Sequence, residues 1–238
     1  MTNETPIVAW EQNAEAWTRW LDKGRDAWRT HLIVPTLSNA LGSVRGKDVL
    51  DAGCGDGYFS RILAKRGARV TGVDAAKKLI QIARTKERAH PLGIEYRIAD
   101  ISHAGSPGRG RYDIVFACQV LMALPNSATA IRELARLLKP HGRLVIVINH
   151  PCFLLPDSGD YYTRRTIWMK FFNEQLVETA YYHRPLEDYV RALARAGLVI
   201  TNLLAPRATR EASRQNEELR ITRKAALVLF LVATAPPR

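Results

Sequence analysis

The chain has 238 residues, of which 47% are hydrophobic and 24% are charged. This length and composition are typical of one folded domain, or of one domain that carries an insertion, and they exclude global disorder and fibrous repeats. The formal net charge of +12 is the outlying value. It leaves two interpretations open, a surface that attracts the phosphates of nucleic acid and a solvated basic surface. The scattered positions of Lys and Arg favour the second.

Cysteine content and hydropathy indicate the compartment. Cys54, Cys118 and Cys152 match no zinc or redox spacing, and their odd number argues against a disulfide framework. The N-terminal residues carry no signal-peptide pattern, and the longest apolar run, residues 225–235, is too short to span a bilayer as a helix. We therefore expect a cytoplasmic protein without a membrane partner, as a monomer or homodimer.

From residue 48 onward, β-branched runs alternate with helical patterns, which is typical of a parallel sheet covered by helices. The predicted strands are 48–52, 69–73, 94–99, 112–117, 143–149, 197–204 and 225–233. The predicted helices are 58–66, 76–89, 127–138 and 186–196. Gly67 after the first helix and Pro185 before the last one agree with these boundaries.

Two segments stand outside this alternation and predict a cover over the sheet. Residues 1–45 carry four tryptophans at roughly helical spacing, and residues 150–184 are rich in aromatic side chains. We expect residues 1–45 to form an N-terminal helical cap, and 46–238 to form the main domain with an inserted cap at 150–184. Ordinary core packing is the alternative for these aromatic residues. An insertion after a strand's carboxyl end lies where open parallel sheets bind ligands, so the candidates for substrate contact are Trp17, Trp28, Phe153, Tyr162, Trp168 and Tyr182.

A glycine-rich turn joins the first predicted strand to the first helix of the alternation. Gly53, Gly55 and Gly57 follow Asp51 with G-x-G-x-G spacing, which lets backbone approach a nucleotide-like ligand and lets main-chain N–H groups face it. A dinucleotide fold has its third glycine one residue later, and a carboxylate at Asp51 suits a pyrophosphate poorly. Asp74 and Asp100 then end the second and third strands, where they can accept hydrogen bonds from a ribose and from an exocyclic amine.

Residues 48–149 resemble the core of the class I S-adenosylmethionine-dependent methyltransferases, in particular those that act on small molecules. The resemblance rests on residues 49–57, 70–75, 98–101, 112–124 and 134–148. It implies an α/β fold, a Rossmann-like three-layer sandwich with a seven-stranded, mostly parallel sheet whose last strand is antiparallel. It also implies that the turn holds the methionine part of S-adenosylmethionine, Asp74 the ribose, Asp100 and Ile101 the adenine, and that Gln119 lies under the sulfonium. The expected cofactor-binding residues are Asp51, Gly53, Cys54, Gly55, Gly57, Asp74, Ala75, Asp100, Ile101 and Gln119.

The acceptor is less defined by the sequence. His150 and His183 flank the predicted insertion and are the candidate catalytic bases, with helix capping or backbone hydrogen bonding as the alternative. The aromatic segments favour transfer to the N or O atom of a small aromatic or heterocyclic metabolite of secondary metabolism. No carboxylate cluster accompanies the fourth strand, so we expect no metal. An RNA-directed methyltransferase, an NAD-dependent oxidoreductase and a cofactor-binding module without turnover are the alternatives.

Overall fold

The computed structural model describes residues 6–103, 110–152 and 160–237. Nine strands lie in these ranges: β1 Asp48–Ala52, β2 Arg69–Asp74, β3 Glu95–Ile98, β4 Tyr112–Cys118, β5 Leu138–Asn149, β6 Arg165–Met169, β7 Thr179–His183, β8 Val199–Leu204 and β9 Val228–Thr234. Seven α-helices accompany them: α1 Pro6–Asp22, α2 Val34–Leu41, α3 Tyr58–Lys65, α4 Lys77–Ala89, α5 Ser127–Arg136, α6 Leu186–Arg195 and α7 Arg210–Gln215. A π-helical turn, Arg29–Ile33, precedes α2, and a 3₁₀ helix, Glu217–Arg223, precedes β9.

Seven of the strands form one twisted sheet in the order β3-β2-β1-β4-β5-β9-β8. The pairs from β3 to β5 are parallel, and β9 runs antiparallel to both β5 and β8. The expectation of a seven-stranded, mostly parallel sheet with an antiparallel last strand is confirmed. The strand order reverses between β1 and β4, which is the point where open α/β sheets bind ligands.

Apolar side chains alternate along the strands and feed a core on each face of the sheet. Val49, Phe116 and Val147 point to the face covered by α2, α3 and α4. Leu50 and Ile146 point to the face covered by α5 and α6. The central strands are therefore buried on both sides, as parallel sheets require, and the fold is a three-layer sandwich.

The two segments outside the alternation meet each other above the sheet. The segment after β5 contains an antiparallel hairpin, β6 with β7, rather than irregular chain throughout. Helix α1 lies against it, and the fully buried Asn13 of α1 joins the two. Its Oδ1 accepts from the N–H groups of Leu176 at 2.9 Å and Val177 at 3.2 Å, and its Nδ2 donates to the Val177 carbonyl at 2.9 Å.

Some boundaries differ from the sequence expectation for identifiable reasons. Helix α5 ends at Arg136, and β5 begins at Leu138, five residues before the predicted start. The residues between Leu138 and Arg143 form an irregularity in the β4–β5 pairing, with His141 at φ 60°. Pro140 and Gly142 therefore lie within β5 and do not end the helix, which stops before either of them. Helix α7 and the 3₁₀ helix before β9 were not predicted, because both are short and rich in charged residues.

In the part of the chain that the structure describes, no helix is both long and apolar enough to cross a bilayer.

Replacing Asn13 with Ala tests the link between α1 and the insertion. The change leaves the N–H groups of Leu176 and Val177 without their acceptor, whereas the Val177 carbonyl keeps the Gln175 Nε2 donor at 2.7 Å, and we expect the free energy of unfolding to fall by about 1–3 kcal/mol. Urea denaturation followed by tryptophan fluorescence measures this loss. Asn202→Ala, at an exposed position of β8, is the matched control and should change stability by less than about 0.5 kcal/mol. Equal losses in both variants would show that Asn13 does not join the two segments.

Candidate functional site

A cavity of about 360 Å³ opens at the carboxyl ends of the parallel strands. Its floor comes from the segments that follow β1, β2, β3 and β4, and its cover comes from α1, the π-helical turn and the β6–β7 hairpin. Because these strand ends surround the reversal of strand order, the cavity lies where the fold places ligands. It is lined mainly by apolar and aromatic side chains with a few polar groups, which is typical of small-molecule sites.

The glycine turn after β1 is held by the end of β2. The N–H groups of Gly53 and Cys54 both donate to the carbonyl of Val73, at 2.8 and 2.9 Å. Gly53 has φ +77°, and a Cβ there would come within 2.6 Å of the Cβ of Val120, so the position requires glycine in both conformation and space. The structure differs here from the expectation that these donors face the ligand, since they fix the turn instead.

Two carboxylates, the buried Asp51 and the half-buried Asp74, lie beneath and beside this turn. Asp74 accepts from the N–H groups of Gly55 at 2.9 Å and Ala76 at 2.8 Å, and Asp51 accepts from the Ser60 hydroxyl at 2.6 Å. Burial, with a smaller contribution from the nearby Asp74, raises the pKa of Asp51 to about 7 despite that hydrogen bond. Burial also raises the pKa of Asp74, against the lowering effect of its backbone donors. A cationic group of a ligand would relieve this unfavourable pairing.

The ends of β3 and β4 supply further polar groups. Partial burial raises the pKa of Asp100, but hydrogen bonds from Ser102 and His103 outweigh it, so the pKa lies below its ordinary value. Asp100 is therefore ionised and can accept from a ligand amine. Gln119, directly after β4, has φ 58°, a left-handed conformation that is uncommon outside glycine, and its N–H donates to Val147 O at 2.8 Å. Backbone strain of this kind gathers at functional sites.

Arg29 is a cavity residue that the sequence interpretation missed. Its guanidinium lies over the Tyr58 ring at 4.5 Å and near the Trp17 ring at 5.5 Å, and its Nε is 3.3 Å from Asp26 Oδ2. Its Nη1 is buried and has no hydrogen-bond partner among the described residues. A buried, unpartnered guanidinium donor in a cavity indicates an anionic ligand group, such as a carboxylate. In the sequence, Arg29 follows a tryptophan and belongs to no motif that would predict binding of an anionic group.

An aromatic cluster closes the other end of the cavity. Trp17 stacks on Trp20 with centroids 5.3 Å apart, and both contact Phe172 of the insertion at 5.4 and 5.6 Å. Trp10 meets Trp17 edge to face at 5.6 Å. Tryptophan spacing in the sequence indicated this cluster, but the pairing with Phe172 depends on the tertiary fold.

The structure brings most of the sequence candidates together. The predicted cofactor and substrate residues that line the cavity are Trp17, Trp28, Gly53, Cys54, Gly55, Asp74, Ala75, Asp100, Ile101 and Gln119. Asp51 lies beneath the turn, and Gly57 lies at the start of α3 against Tyr96. Three substrate candidates of the insertion, Tyr162, Trp168 and Tyr182, are not among the lining residues, whereas Phe171 and Tyr181 are. Phe153 lies outside the described residues.

The two candidate histidines occupy different surroundings. His183 is 2% exposed in β7, does not line the cavity, and donates from Nε2 to the carbonyl of Tyr161 at 2.9 Å. His150 is half-buried and follows Asn149, which does line the cavity. Burial lowers the pKa of His150, so its ring is neutral at pH 7, and Nδ1 accepts from the Cys152 N–H at 3.3 Å. Within the described ranges, no group of three or more His, Cys, Asp or Glu side chains could hold a metal ion.

Comparisons with known proteins agree with this geometry. A family model described as a methyltransferase domain matches residues 50–146. The ubiquinone biosynthesis O-methyltransferase of Bordetella avium is 35% identical over 156 residues, which cover 63% of this chain and 65% of that protein. The chain therefore spans just under two thirds of the length of this curated relative. The crystal structure of an S-adenosylmethionine-dependent methyltransferase from Mesorhizobium loti is similar with a TM-score of 0.68 and 25% identity, over 84% of this chain and 96% of that one.

Residues 50–146 thus match a methyltransferase domain, and the fold is that of S-adenosylmethionine-dependent methyltransferases. These similarities support S-adenosylmethionine as the cofactor. A third comparison shows the fold alone: Burkholderia thailandensis 1,6-didemethyltoxoflavin-N1-methyltransferase, solved with 1,6-didemethyltoxoflavin and S-adenosylhomocysteine bound, is 20% identical with a TM-score of 0.62, over 99% of this chain and 92% of that one. The cavity fits the cofactor of this class, because buried carboxylates and the unpartnered guanidinium suit an ammonium and a carboxylate group.

The raised pKa of Asp51 predicts a pH dependence of stability. The folded protein keeps the Asp51 proton up to about pH 7, whereas the unfolded chain loses it near the ordinary value of 3.8, so this group's contribution to stability falls as pH rises between them and is constant above. Asp51→Asn removes this loss and should gain stability relative to the wild type by up to about 4 kcal/mol, at about 1.4 kcal/mol per unit of pKa.

Chemical denaturation of both proteins at about pH 5 and about pH 8 measures the difference. Asn keeps an acceptor for the Ser60 hydroxyl, so the change isolates the charge. A stability difference that is the same at the two pH values would show that Asp51 is already ionised in the folded protein at pH 5.

Proposed function

We propose that this protein transfers the methyl group of S-adenosylmethionine to an N or O atom of a small aromatic or heterocyclic acceptor. The observation that carries the proposal is the division of one cavity into two ends. One end holds the glycine turn, Asp74 and Asp100, and the other is walled by Trp17, Trp20 and rings of the insertion. An aromatic wall beside a cofactor site favours a flat, largely apolar acceptor.

We assign the cofactor contacts from this geometry. Asp74 and Asp100 are the acceptors for the ribose and the adenine amine, and Arg29 is the partner of the cofactor's carboxylate. Arg29 contacts Tyr58, the first residue of α3. Because Tyr58 directly follows the glycine turn, this contact supports the assignment. The acceptor then occupies the space toward Trp17 and Tyr181.

The reaction requires little dedicated chemistry from the protein. When bound, the cofactor supplies a methyl group on a sulfonium, which is open to in-line attack by an acceptor lone pair. The residues of the cover hold the acceptor in line and exclude water. A hydroxyl acceptor also loses a proton, and neutral His150 next to the cavity is better placed to take it than His183, which is engaged with a backbone carbonyl.

The proposal leaves the methylated atom as N or O and includes a cytoplasmic setting. The relative from Bordetella avium is named for O-methylation in ubiquinone biosynthesis, and the toxoflavin enzyme for N-methylation, so both atoms stay open. The three free cysteines support a reducing compartment. We retain secondary metabolism as the setting, because the cover is built for one aromatic ligand rather than for a polymer.

RNA is the second acceptor class to consider, because the net charge is +12. The charged residues that line the cavity do not favour it. Among the described residues, the lining carries five acidic side chains and one basic one, Arg29. A phosphate next to the reacting base would meet this acidic surface, whereas the basic residues lie elsewhere on the surface.

Turnover with a panel of catechols, indoles and nitrogen heterocycles tests the proposal. We expect S-adenosylhomocysteine to form together with an acceptor that has gained one methyl group, both detected by mass spectrometry. Asp74→Asn should lower the affinity for S-adenosylhomocysteine and kcat/KM at least about tenfold, because one acceptor oxygen becomes a donor. Glu95→Gln, on an exposed strand end, is the control and should behave as the wild type. Methyl incorporation into RNA with none into small acceptors would contradict the proposal.

A further inference from the structure

The segment that follows β4 forms much of the cavity floor. Residues 119–124 contain a 3₁₀ turn, Leu121–Ala123, and all of them except Leu121 line the cavity. Val120 packs directly against the glycine turn, because its methyl groups occupy the space that a Cβ at Gly53 would need. The position of this segment therefore determines how the floor meets the cofactor end of the cavity.

The segment begins in a strained backbone conformation. Gln119 has φ 58°, and a left-handed residue other than glycine persists only where surrounding contacts hold it. Its N–H donates to the Val147 carbonyl of β5 at 2.8 Å, which restrains the segment on the side of the sheet. Because residues 120–125 leave the sheet, the other end of the segment needs a restraint from elsewhere in the fold.

Arg184 supplies this second restraint. It lies between β7 and α6, directly after His183, at the end of the insertion. Its Nη1 donates to the Leu121 carbonyl at 3.2 Å. Its Nη2 donates to the carbonyls of Leu124 at 2.6 Å and Pro125 at 3.0 Å. One cation thus gathers three carbonyls at the carboxyl end of the 3₁₀ turn, where hydrogen bonds from a charged donor are strong.

The guanidinium of Arg184 is itself held by two aromatic rings. It lies 5.7 Å from the ring centroid of Tyr182 in β7 and 6.0 Å from that of Tyr189 in α6. Arg184 is half-buried, and Tyr189 is 2% exposed. The donors of Arg184 are therefore fixed in direction, and they join the cavity floor to the end of the hairpin that forms its cover.

We propose, on the basis of the proposed function, that Arg184 is a positioning residue for methyl transfer. It holds residues 119–124 at the place where they keep the acceptor in line with the methyl group. Arg184 is not among the cavity-lining residues that the structure describes, so it acts through the floor and not on a ligand. Methyl transfer is sensitive to such positioning, since a displacement of about 1 Å can cost about a hundredfold in rate.

The proposal separates the rate of transfer from the binding of the cofactor. Asp74 and Asp100, the assigned partners of the ribose and the adenine, lie at the ends of β2 and β3 and have no contact with Arg184 among the described residues. A loosened floor should therefore lower kcat and leave the affinity for the cofactor unchanged. A residue that only stabilised the fold would not produce this separation.

Hydrogen exchange followed by mass spectrometry tests whether Arg184 holds the floor. Wild type and Arg184→Met are compared, each saturated with S-adenosylhomocysteine. We expect the amides of residues 120–124 to exchange at least about tenfold faster in the variant, because their segment has lost its outer restraint. Exchange in β1 and β2 should be unchanged. Equal exchange of residues 120–124 in the two proteins would overturn the proposal.

Steady-state kinetics then test the consequence for the reaction. With an acceptor from the panel above, Arg184→Met should lower kcat at least about tenfold, with KM for S-adenosylmethionine and the affinity for S-adenosylhomocysteine within about twofold of the wild type. Unchanged kcat, or a loss of cofactor affinity as large as the loss of kcat, would overturn the proposal. If Arg184→Met does not fold, Arg184→Lys replaces it. The lysine keeps the charge without the forked donors, and we expect a loss of at least about threefold in kcat alone.

Arg164→Met is the matched control, because it makes the same chemical change on another arginine of the insertion. Arg164 is 59% exposed and pairs with Asp188, with both hydrogen bonds at 2.6 Å. This variant should keep the wild-type exchange of residues 120–124 and the wild-type kcat. Equal effects in the two variants would show that Arg184 has no particular role. Absence of turnover in the wild type would contradict the proposed function, while the exchange rates still decide whether Arg184 holds the floor.

Discussion

The Asp74 carboxylate connects the two loops from which the cofactor end of the site is built. One oxygen accepts from the N–H of Gly55 in the turn after β1, and the other accepts from the N–H of Ala76 after β2. Parallel pairing of β1 and β2 brings the two loops to the same edge, and the carboxylate then fixes their spacing. Withdrawing this carboxylate from water raises its pKa and costs free energy, and its retention beside Asp51 is understandable if a cationic ligand group joins them.

The cover depends on a different kind of interaction. Asn13 satisfies three backbone groups of the insertion, and the rings of Trp17, Trp20 and Phe172 pack across the same interface. Helix α1 and the hairpin are far apart in sequence, so neither wall of the acceptor space exists until the whole chain has folded. The cofactor floor is thus a property of the sheet, whereas the acceptor space is a property of segments attached to it. This separation allows one fold to serve many acceptors.

The sequence was informative where local pattern determines structure. Residues 48–52, 58–65 and 69–74 were predicted to within a residue or so, because β-branched runs and a glycine turn determine that conformation locally. The cavity positions of Asp74 and Asp100 followed from one rule, that carboxyl ends of parallel strands share an edge. Arg29 and Glu218 could not be predicted in the same way. Arg29 lies on a π-helical turn and Glu218 on a 3₁₀ helix, and only tertiary packing brings them to the cavity. For His183, the position before a helix suggested a place in the site. Its side chain instead hydrogen-bonds to the Tyr161 carbonyl.

The central claim is that one cavity binds the methyl donor at the strand ends and the acceptor under the aromatic cover. A crystal structure with S-adenosylhomocysteine bound tests it most directly. The account predicts the ribose hydroxyls on Asp74, the adenine beside Asp100, the carboxylate on Arg29, and the sulfur directed toward the space between Trp17 and Tyr181. Adenine stacked among the tryptophans, or a cofactor product bound outside this cavity, would contradict the account.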